Sequence, residues 1–312
     1  MLLPYRPVGL VPLCTTRGRR ATVATFMMAA VLMAPVRLAS AVEAPRVTIV
    51  DGGAEVVVGA RRFSAIEGQP LPGRALIETA AAARLLRIEW PGGQVVDLGP
   101  GTRVMLSPPA VGVQNPASAA VYLLQGWIKQ TSPGKGPDES LLSPHVETTP
   151  AGGAAVHFVG VAEHWLFVES GSVSVVERGQ DKASAVVLRR GSAYSRRAPA
   201  KGTVSARPSA QEMQRVPRAF LDPLPFRFDA MKTRSIKLQA LPPPTYAQLQ
   251  PWLVAEKGVR EGFTTRFDEL LRDRQFRQDL GMHLRDHREW QPVLFPPQPK
   301  PGASPADVSA GR

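Results

Sequence analysis

A run of three short strands separated by glycine-rich turns, between residues 84 and 106, constrains the fold of this chain more than any other feature. In the first strand every second residue is apolar: Leu86, Ile88 and Trp90. This alternation is the period of a half-buried strand. Pro91-Gly92-Gly93 and Gly99-Pro100-Gly101 then reverse the chain within a few residues. Such short connections predict an antiparallel meander, because parallel strands need a crossover of a dozen or more residues.

The same style of sequence continues to Ser195. Further strands are predicted at Val121–Lys129, Val146–Thr149, Ala154–Val159, His164–Val168, Ser172–Glu177, Ala185–Leu188 and Ala193–Ser195. Ser170-Gly171 is predicted to reverse the chain, and Thr131–Pro144 to form a surface loop. Residues 46–195 therefore predict one mainly β domain with an antiparallel sandwich or jelly-roll-like fold.

Residues 196–244, called the arm below, have a different composition. They are rich in proline, including Pro242-Pro243-Pro244, and contain one segment with strand composition, Ser235–Leu238. They also carry several large apolar residues: Phe220, Leu221, Leu224, Phe226 and Phe228. Because a free linker would be more polar, we expect an extended arm that docks on the β domain.

From Thr245 onward the apolar period changes to about 3.6 residues. Thr245 is predicted to cap a helix over Tyr246–Glu256, with Pro251 inside it. One face of a second helix is predicted from Val259, Phe263, Phe267, Leu270 and Leu271, and one face of a third from Phe276, Leu280 and Leu284. Residues 245–297 thus predict a small α-helical subdomain, and residues 298–312 a disordered tail.

The N-terminus has the composition of a secretory signal peptide. Arg19 and Arg20 precede an apolar run over residues 21–35, and Ala39-Ser40-Ala41 fits a small-residue cleavage site. The run is shorter than the roughly 20 residues that a membrane-spanning helix needs. We expect residues 1–41 to be removed and the chain to be periplasmic, or membrane-anchored if the segment is retained.

Charge and cysteine content narrow the range of partners. The formal net charge is +12, and it is +7 for residues 42–312, because residues 1–41 contain five arginines and no acidic residue. An exported basic chain meets anionic lipid or envelope polymer rather than nucleic acid, so membrane-surface association is one expectation. The alternative, which is favoured, is a soluble surface with some excess arginine. Cys14 is the only cysteine, so the cleaved chain has neither a disulfide nor thiol chemistry.

Four segments together resemble a known family. The first, Gly73–Leu106 (GRALIETAAAARLLRIEWPGGQVVDLGPGTRVML), combines a glycine-led apolar strand, a Gly-Gly turn and a Pro-Gly step. The others follow in order: VYLLQGWIK (Val121–Lys129), VETTPAGGAAV (Val146–Val156) and VESGSVSVVERG (Val168–Gly179). Residues 46–195 thereby resemble the periplasmic β-domain of the FecR family. The resemblance implies an envelope β-domain that contacts other envelope components.

The sequence departs from that family in two ways. Family members carry a cytoplasmic anti-sigma domain before their transmembrane helix, whereas about 20 residues precede the apolar run here. The family's Gly-Thr pair is replaced by Phe158-Val159-Gly160. The family's role in relaying iron-siderophore occupancy to a sigma factor is therefore not carried over to this chain.

Three tryptophans lie on predicted strands: Trp90, Trp127 and Trp165. Aromatic side chains on strands can stack on sugars, which would suit an envelope polysaccharide. These three residues are the predicted binding residues. The alternative is that they pack in the core of the β domain.

A group of ionisable side chains on predicted strands is a candidate metal site. His145 and Glu147 share one strand face, and His157 and His164 lie on the following strands. Their spacing differs from the His-x-His and Glu pattern of metal-binding β rolls. We therefore predict that these are partly exposed strand residues and that no metal is bound.

His283 and His287 stand four residues apart on the predicted third helix, as in zinc-binding helices. Leu284 occupies the position of the general-base Glu of zinc proteases, which excludes that reading. The chain after residue 41 also has no G-x-S-x-G elbow, phosphate-binding Gly-Lys loop or nucleophilic cysteine. We predict no catalytic residue, no metal and no cofactor.

Two classes of function stay open. The favoured one is an exported FecR-domain-containing protein of the cell envelope, a periplasmic binding or signalling module whose partner is an envelope protein or a cell-wall polysaccharide. A structural cell-wall binder differs from it only in ligand. The other class is a carbohydrate-active or metal-dependent envelope enzyme, which would need two carboxylates, or a histidine cluster with a carboxylate, in one cleft.

Overall fold

The computed structural model describes residues 43–108, 119–134, 139–179 and 184–296. The chain divides into two compact units, Met1–Ala41 and Val42–Arg312, and every described residue belongs to the second. The predicted signal peptide and the predicted tail at 298–312 lie outside the described residues. Within the four described ranges, none of the helices combines the length and the apolar character that crossing a membrane requires.

The described residues contain fifteen strands. They are β1 (Arg46–Asp51), β2 (Ala54–Val58), β3 (Arg61–Ser64), β4 (Leu76–Thr79), β5 (Leu85–Glu89), β6 (Val95–Leu98), β7 (Arg103–Leu106), β8 (Ala119–Ser132), β9 (Ser140–Leu142), β10 (Val146–Val159), β11 (Glu163–Glu177), β12 (Val186–Arg189), β13 (Ala193–Arg197), β14 (Thr203–Ser205) and β15 (Ala240–Leu241). They join one sheet, antiparallel throughout except between β8 and β9. The prediction of a mainly β fold with an arm and a small helical C-terminal part is confirmed.

The sheet folds over on itself at strand β8. The first half of β8 pairs with β7, and its second half pairs with β6 and β10. Gly126 lies at the junction with φ +98°, and a Cβ there would be 2.5 Å from the Cα of Thr102. Only glycine therefore fits this position. The two halves enclose a core cluster that includes Val47, Val56, Ile77, Ile88, Val104 and Ile128.

Strands β10 and β11 form one long hairpin that bends in the middle. Gly153 lies opposite Gly171, and the register shifts beside this pair. Their φ angles are +87° and +73°, and a Cβ on either glycine would collide with the backbone of the other strand. The prediction that Ser170-Gly171 reverses the chain is wrong, because the glycines form a bulge within a continuous pair of strands.

The predicted surface loop Thr131–Pro144 is in part structured. Strand β8 continues to Ser132, and the short strand β9 lies between β8 and β10. Leu141 and Leu142 of β9 are fully buried. A strand of three residues is too short for its alternation to stand out among the surrounding polar residues.

The arm docks on the sheet, as predicted. Its regular elements are α1 (Ala210–Arg215), a 3-10 turn (Arg218–Leu221) and α2 (Phe228–Lys232), in addition to β14 and β15. Its large buried apolar side chains include Val216, Phe220, Phe228 and Met231. The segment Ser235–Leu238 does not form a strand; the arm instead pairs with β3 through β15.

The helical subdomain consists of short helices. These are α3 (Tyr246–Leu253), α4 (Lys257–Arg260), α5 (Phe263–Arg266), a 3-10 turn (Asp268–Arg272), α6 (Arg274–Met282), a 3-10 turn (Arg288–Trp290) and α7 (Gln291–Leu294). Thr245 caps α3 as predicted, because it accepts a hydrogen bond from Gln248 N while the Gln248 side chain accepts one from Thr245 N. The aromatic residues of this layer pack directly on Leu76, Met105 and Tyr122 of the sheet.

The predicted second helix is broken into three pieces. Gly262 adopts φ +75° between α4 and α5, and such a left-handed residue ends the first piece. The apolar residues that suggested one helical face, among them Val259, Phe263 and Phe267, are nevertheless fully buried. Their period of about 3.6 marked the buried side correctly, but it did not establish a continuous helix.

Candidate binding site

An aromatic row crosses three neighbouring strands on the sheet face that the arm covers. Phe158 of β10 lies opposite Trp127 of β8 on one side and Trp165 of β11 on the other. The ring centroids of Trp127 lie 4.7 Å from Phe158 and 6.0 Å from Trp165. The third predicted tryptophan, Trp90, packs against the sandwich core instead. The structure thus brings together two of the three predicted residues and adds Phe158.

Hydrogen bonds to its backbone N and O fix the position of Trp127. Thr102 Oγ1 accepts a hydrogen bond of 2.9 Å from Trp127 N, and lies 3.0 Å from Trp127 O. Gly99 N also donates to Trp127 O at 2.9 Å. Because Gly126 lacks a side chain, Thr102 can approach closely enough to make these bonds. The indole is therefore carried by a rigid part of the sheet.

Arg215, the last residue of α1, covers the aromatic row from the arm side. Its guanidinium carbon lies 4.8 Å from the ring centroid of Phe158 and 6.0 Å from that of Trp127, the geometry of a cation–π contact. Its Nη1 also donates to Glu163 Oε1 at 3.0 Å. Trp165 beneath it is almost fully buried, whereas Trp127 and Phe158 stay half-buried.

An open cleft of about 310 Å³ reaches the edge of this row, and we call it the aromatic cleft. It is lined by Pro100, Gly101, Gln125, Gly126, Trp127, Phe158, Val159, Gly160 and Val161. Val161, in the turn between β10 and β11, is fully exposed at its rim. Exposed aliphatic and aromatic surface beside an amide side chain can receive a protein side chain or the face of a sugar ring.

A second cleft of about 630 Å³ lies on the other side of Pro100, and we call it the arm cleft. The arm supplies five of its lining residues, Pro217, Arg218, Ala219, Leu221 and Asp222, and the sheet supplies Ala83, Arg84 and Pro100. Gly99 lies beneath it, where a Cβ would come within 3.0 Å of both Trp127 and Pro217. The cleft exists only because the arm is docked at this point.

Polar side chains on the same sheet face anchor the arm, and we call Arg87, Asp97 and Lys129 the anchor row. Arg87 forms a buried two-bond ion pair with Asp97 at 2.7 and 2.8 Å, and also donates to Leu224 O at 3.1 Å. Lys129 Nζ donates to Phe220 O at 2.7 Å. Charged groups on this face thus bind arm carbonyl oxygens that secondary structure leaves free.

Two of the histidines on strands, His157 and His164, are fully buried, so the prediction that they are partly exposed is wrong. His157 and His164 are buried side by side with ring centroids 5.9 Å apart, whereas Glu147 stays partly exposed. His164 Nδ1 is hydrogen-bonded to Ser143 Oγ, and His145 Nε2 to a backbone carbonyl. Burial lowers the pKa of His157 to about 3, so its imidazole is neutral. Across the described ranges, no three His, Cys, Asp or Glu side chains are placed to hold a metal ion.

The two C-terminal histidines lie outside the helix that was predicted to carry them. Helix α6 ends at Met282, so His283 follows it and His287 precedes the next 3-10 turn. His287 is buried, with Nε2 2.8 Å from Tyr246 Oη and Nδ1 3.1 Å from Leu253 O. Both of its ring nitrogens are therefore engaged within the helical subdomain.

Comparison with known proteins gives a limited likeness. Neither a scan against protein-family models nor a search of curated proteins finds a match. Two crystal structures of a candidate anti-sigma factor from Parabacteroides distasonis ATCC 8503 match part of the fold. One has a TM-score of 0.36 at 15% identity and covers 45% of this chain and 62% of its own; the other has 0.33 at 15% identity, with 41% and 57%.

This chain therefore spans about three fifths of the length of the solved structures that it matches. A likeness at these TM-scores carries no argument about function. The resemblance of residues 46–195 to the FecR family stays a prediction from sequence.

Proposed function

We propose that this chain is an exported module of the bacterial cell envelope that binds a protein partner and acts in signalling rather than catalysis. The observation that carries the proposal is the aromatic cleft, which Trp127 and Phe158 line beside the fully exposed Val161, with Arg215 stacked over the two rings. Tryptophan and arginine are the residues most enriched among those that dominate protein–protein binding energy. Trp127 is held by a rigid part of the sheet, which keeps the entropic cost of ordering its side chain on binding small.

Export is the second part of the proposal, and it rests on the sequence of residues 1–41. The basic residues, the apolar run at 21–35 and Ala39-Ser40-Ala41 are the three parts of a signal peptide. Removal of this segment would leave residues 42–312, the unit that carries the whole described fold.

A second candidate function is binding of a cell-wall polysaccharide by the same cleft. Gln125 lines it beside Trp127, so an indole face and an amide lie together, as sugar recognition requires. The enzyme alternative would require two carboxylates in one cleft. Among the described residues, Asp222 is the one carboxylate that lines the aromatic or the arm cleft. A third cleft of about 490 Å³ on the helical subdomain is lined by Glu261 and Glu289, and Glu289 is paired with Arg260.

Site-specific photocrosslinking in the native host tests the favoured proposal. A photoreactive phenylalanine replaces Val161 at the rim of the cleft, and in a matched control it replaces Met282, which is 72% exposed on the helical subdomain. We expect one defined envelope protein to crosslink from position 161 and not from 282. The additional change Arg215→Ala should weaken that product.

Three results, two from crosslinking and fractionation and one from sedimentation with peptidoglycan, decide between the candidates. Identical products from both positions, or recovery of the chain in the cytoplasmic fraction, would refute the proposal. Sedimentation with purified peptidoglycan that is abolished by Trp127→Leu, without a protein product from position 161, would favour the polysaccharide candidate.

A further inference from the structure

Strand β12 (Val186–Arg189) forms an open edge of the sheet. It pairs antiparallel with residues 172–175 of β11 on one side, and among the described residues no strand pairs with its other side. The next strand, β13, pairs with the other half of β11 and is itself covered by β14. Strand β14 ends at Ser205, opposite Ala193, so it does not continue along β12. We call the open side of β12 the β12 edge.

The backbone of Val187 points toward the β12 edge. Arg190 N donates to Gly171 O of β11 at 3.1 Å. In an antiparallel pair, residues that bond to the partner strand alternate with residues whose N–H and C=O point away from it. Val187 and Arg189 therefore point outward, and the Arg189 carbonyl accepts a bond of 2.9 Å from Ser192 N in the following turn, which agrees with this alternation. The N–H and C=O of Val187 are thus placed to bond to an added strand.

The side chains of β12 differ between the two faces of the sheet. Leu188 is buried in an apolar cluster, and Val186, two residues earlier on the same face, is 39% exposed. On the opposite face Val187 is 63% exposed and Arg189 is exposed. An added strand would therefore cover Val186 and extend the apolar cluster on one face, and its side chains on the other face would lie beside Arg189.

The charge of the β12 edge is positive. Residues 184–205, which include β12, β13 and β14, contain five basic residues and no acidic residue. Arg196 and Arg197 form ion pairs with glutamates of β11. Arg189 and Arg190 are exposed, and neither has an acidic partner in the part of the chain that the structure describes. Two copies paired along β12 would bring four of these arginines together, a use of charge that prevents edge strands from pairing with each other.

We propose that the β12 edge binds an extended segment of a partner protein in which acidic and apolar residues alternate. Backbone hydrogen bonds to Val187 supply affinity, and the alternate side chains supply specificity. A carboxylate on one face meets Arg189, and an apolar side chain on the other face covers Val186. A polyanion without a peptide backbone would use the arginines but leave both the Val187 backbone and Val186 uncovered.

The β12 edge is separate from the aromatic cleft. Trp165 lies on the half of β11 that pairs with β13, whereas β12 pairs with the half beyond the bulge at Gly171. The inference thus goes beyond the proposed function, and it depends neither on export nor on the residues of the aromatic cleft.

Selection from random decapeptides displayed on phage tests this with the full chain, immobilised through a C-terminal tag. We expect the enriched peptides to alternate acidic residues with β-branched or aromatic ones. The same selection on the variant Arg189→Glu/Arg190→Glu should enrich basic residues in place of the acidic ones. This variant changes no backbone group, so it tests the charge preference while β12 stays paired with β11.

Matched variants then test the backbone contact, with one enriched acidic peptide made synthetically and its binding followed by fluorescence anisotropy. Val187→Pro and Val187→Ala both truncate or replace the side chain, but only proline removes the outward N–H, and an edge strand tolerates it. Val187→Pro should weaken binding by about tenfold or more, and Val187→Ala by no more than about threefold. The control Arg272→Glu/Arg274→Glu, an equal charge change on the helical subdomain, should leave the affinity within about twofold of the wild type.

Three results would overturn the inference. The first is a selection that enriches no peptides, or peptides without acidic residues. The second is an equal loss of affinity in Val187→Pro and Val187→Ala, which would mean that no backbone bond forms at this position. The third is a dimer in sedimentation equilibrium that Val187→Pro converts to a monomer, because a second copy would then occupy the β12 edge. None of these results depends on the crosslink from Val161, so the two proposals can fail separately.

Discussion

The arm and the helical subdomain both cover a face of the same folded sheet, but by different interactions. The helical subdomain forms one apolar cluster with the sheet, which contains the fully buried Trp252, Phe267 and Trp290. The arm buries few large side chains and gives its backbone carbonyls to Arg87 and Lys129. A proline-rich segment cannot present a continuous apolar face, so its position depends on polar partners supplied by the strands.

The helical subdomain is therefore part of the hydrophobic core, whereas the arm is attached to the surface of the sheet. In an apolar cluster, truncating a side chain costs more stability the larger the cavity that it leaves. The arm is instead held by a few hydrogen bonds and ion pairs. Removing one partner leaves a buried polar group without its hydrogen bond. The same contrast bears on the arm cleft, because five of its lining residues come from the arm.

The largest effect is expected from a cavity beneath the helical covering. Trp252 is fully buried, and its Nε1 donates a hydrogen bond of 3.0 Å to Glu78 Oε1. Trp252→Ala should lower the free energy of unfolding by about 4 kcal/mol. Urea unfolding followed by circular dichroism should keep a single transition, because the cluster includes Met105 and Tyr122 of the sheet.

Phe295→Ala is the control for this change, since that side chain is 64% exposed in the same subdomain. It should alter the free energy of unfolding by no more than about 0.5 kcal/mol. A separate early transition in Trp252→Ala would mean that the helical layer unfolds on its own, and the distinction between the two coverings would be lost.

Removing one charge of the anchor row should have the next largest effect. Asp97→Asn leaves the guanidinium of Arg87 buried without its counter-charge, and the two side chains are 4% and 8% exposed. We expect a loss of about 3 kcal/mol in the free energy of unfolding, partly offset because Arg87 keeps Leu224 O as an acceptor. Hydrogen exchange in residues 210–228 should increase before that of the sheet.

The double variant Arg87→Met/Asp97→Leu is the matched comparison. Replacing both partners by apolar groups of similar size should restore most of the lost stability. The arm should nevertheless stay more mobile than in the wild type, because its carbonyl at Leu224 has lost a donor. An arm as protected as in the wild type would show that the anchor row does not hold it.

The sequence predicts the β fold and its docked arm better than it predicts the candidate binding site. Alternation around Leu86 and Ile88 and the apolar residues of the arm were sufficient for a β fold with a docked segment. Glycine was ambiguous, since a positive φ serves a turn at Gly93, a bulge at Gly171 and a helix break at Gly262. Which of the three occurs depends on pairing partners that are distant in sequence.

The site could be predicted only in part because it depends on strand register. Trp127 and Trp165 meet through Phe158, and a shift of one residue in either pairing would turn a ring to the other face. Arg215 comes from the arm, and no local pattern connects it to these strands. The signal that could have suggested Phe158 is its place in the apolar strand preceding Gly160.

The pH dependence of stability should come from buried histidine in the sheet and not from the arm. Burial lowers the pKa of His157 to about 3 from the ordinary value of 6.5. Below pH 6.5 the unfolded state therefore takes up a proton that the folded state does not, so stability that is present at neutral pH is lost as the pH falls. Between pH 7 and pH 5 the loss from His157 alone should be about 2 kcal/mol.

In the His157→Leu variant, the loss of stability between pH 7 and pH 5 should be about 2 kcal/mol smaller than in the wild type, as measured by urea unfolding at the two pH values. The arm contains no histidine, so arm variants such as Arg218→Glu should retain the pH dependence of the wild type. A His157→Leu protein that loses as much stability at pH 5 as the wild type would show that other groups cause the effect.

The smallest effects are expected at the two capping boxes. One lies in the arm and one in the helical subdomain, so variants of the two allow a direct comparison of these segments. Ser209 begins α1 of the arm and Thr245 begins α3 of the helical subdomain, with the same reciprocal hydrogen bonds. Thr245→Ala should cost about 1 kcal/mol of global stability, because α3 buries Tyr246 and Trp252. Helix α1 buries none of its residues, so Ser209→Ala should change global stability by less than about 0.3 kcal/mol and raise hydrogen exchange only in residues 210–215. Equal global losses in the two variants would mean that α1 opens only when the whole protein unfolds, and the arm would then belong to the core as fully as the helices do.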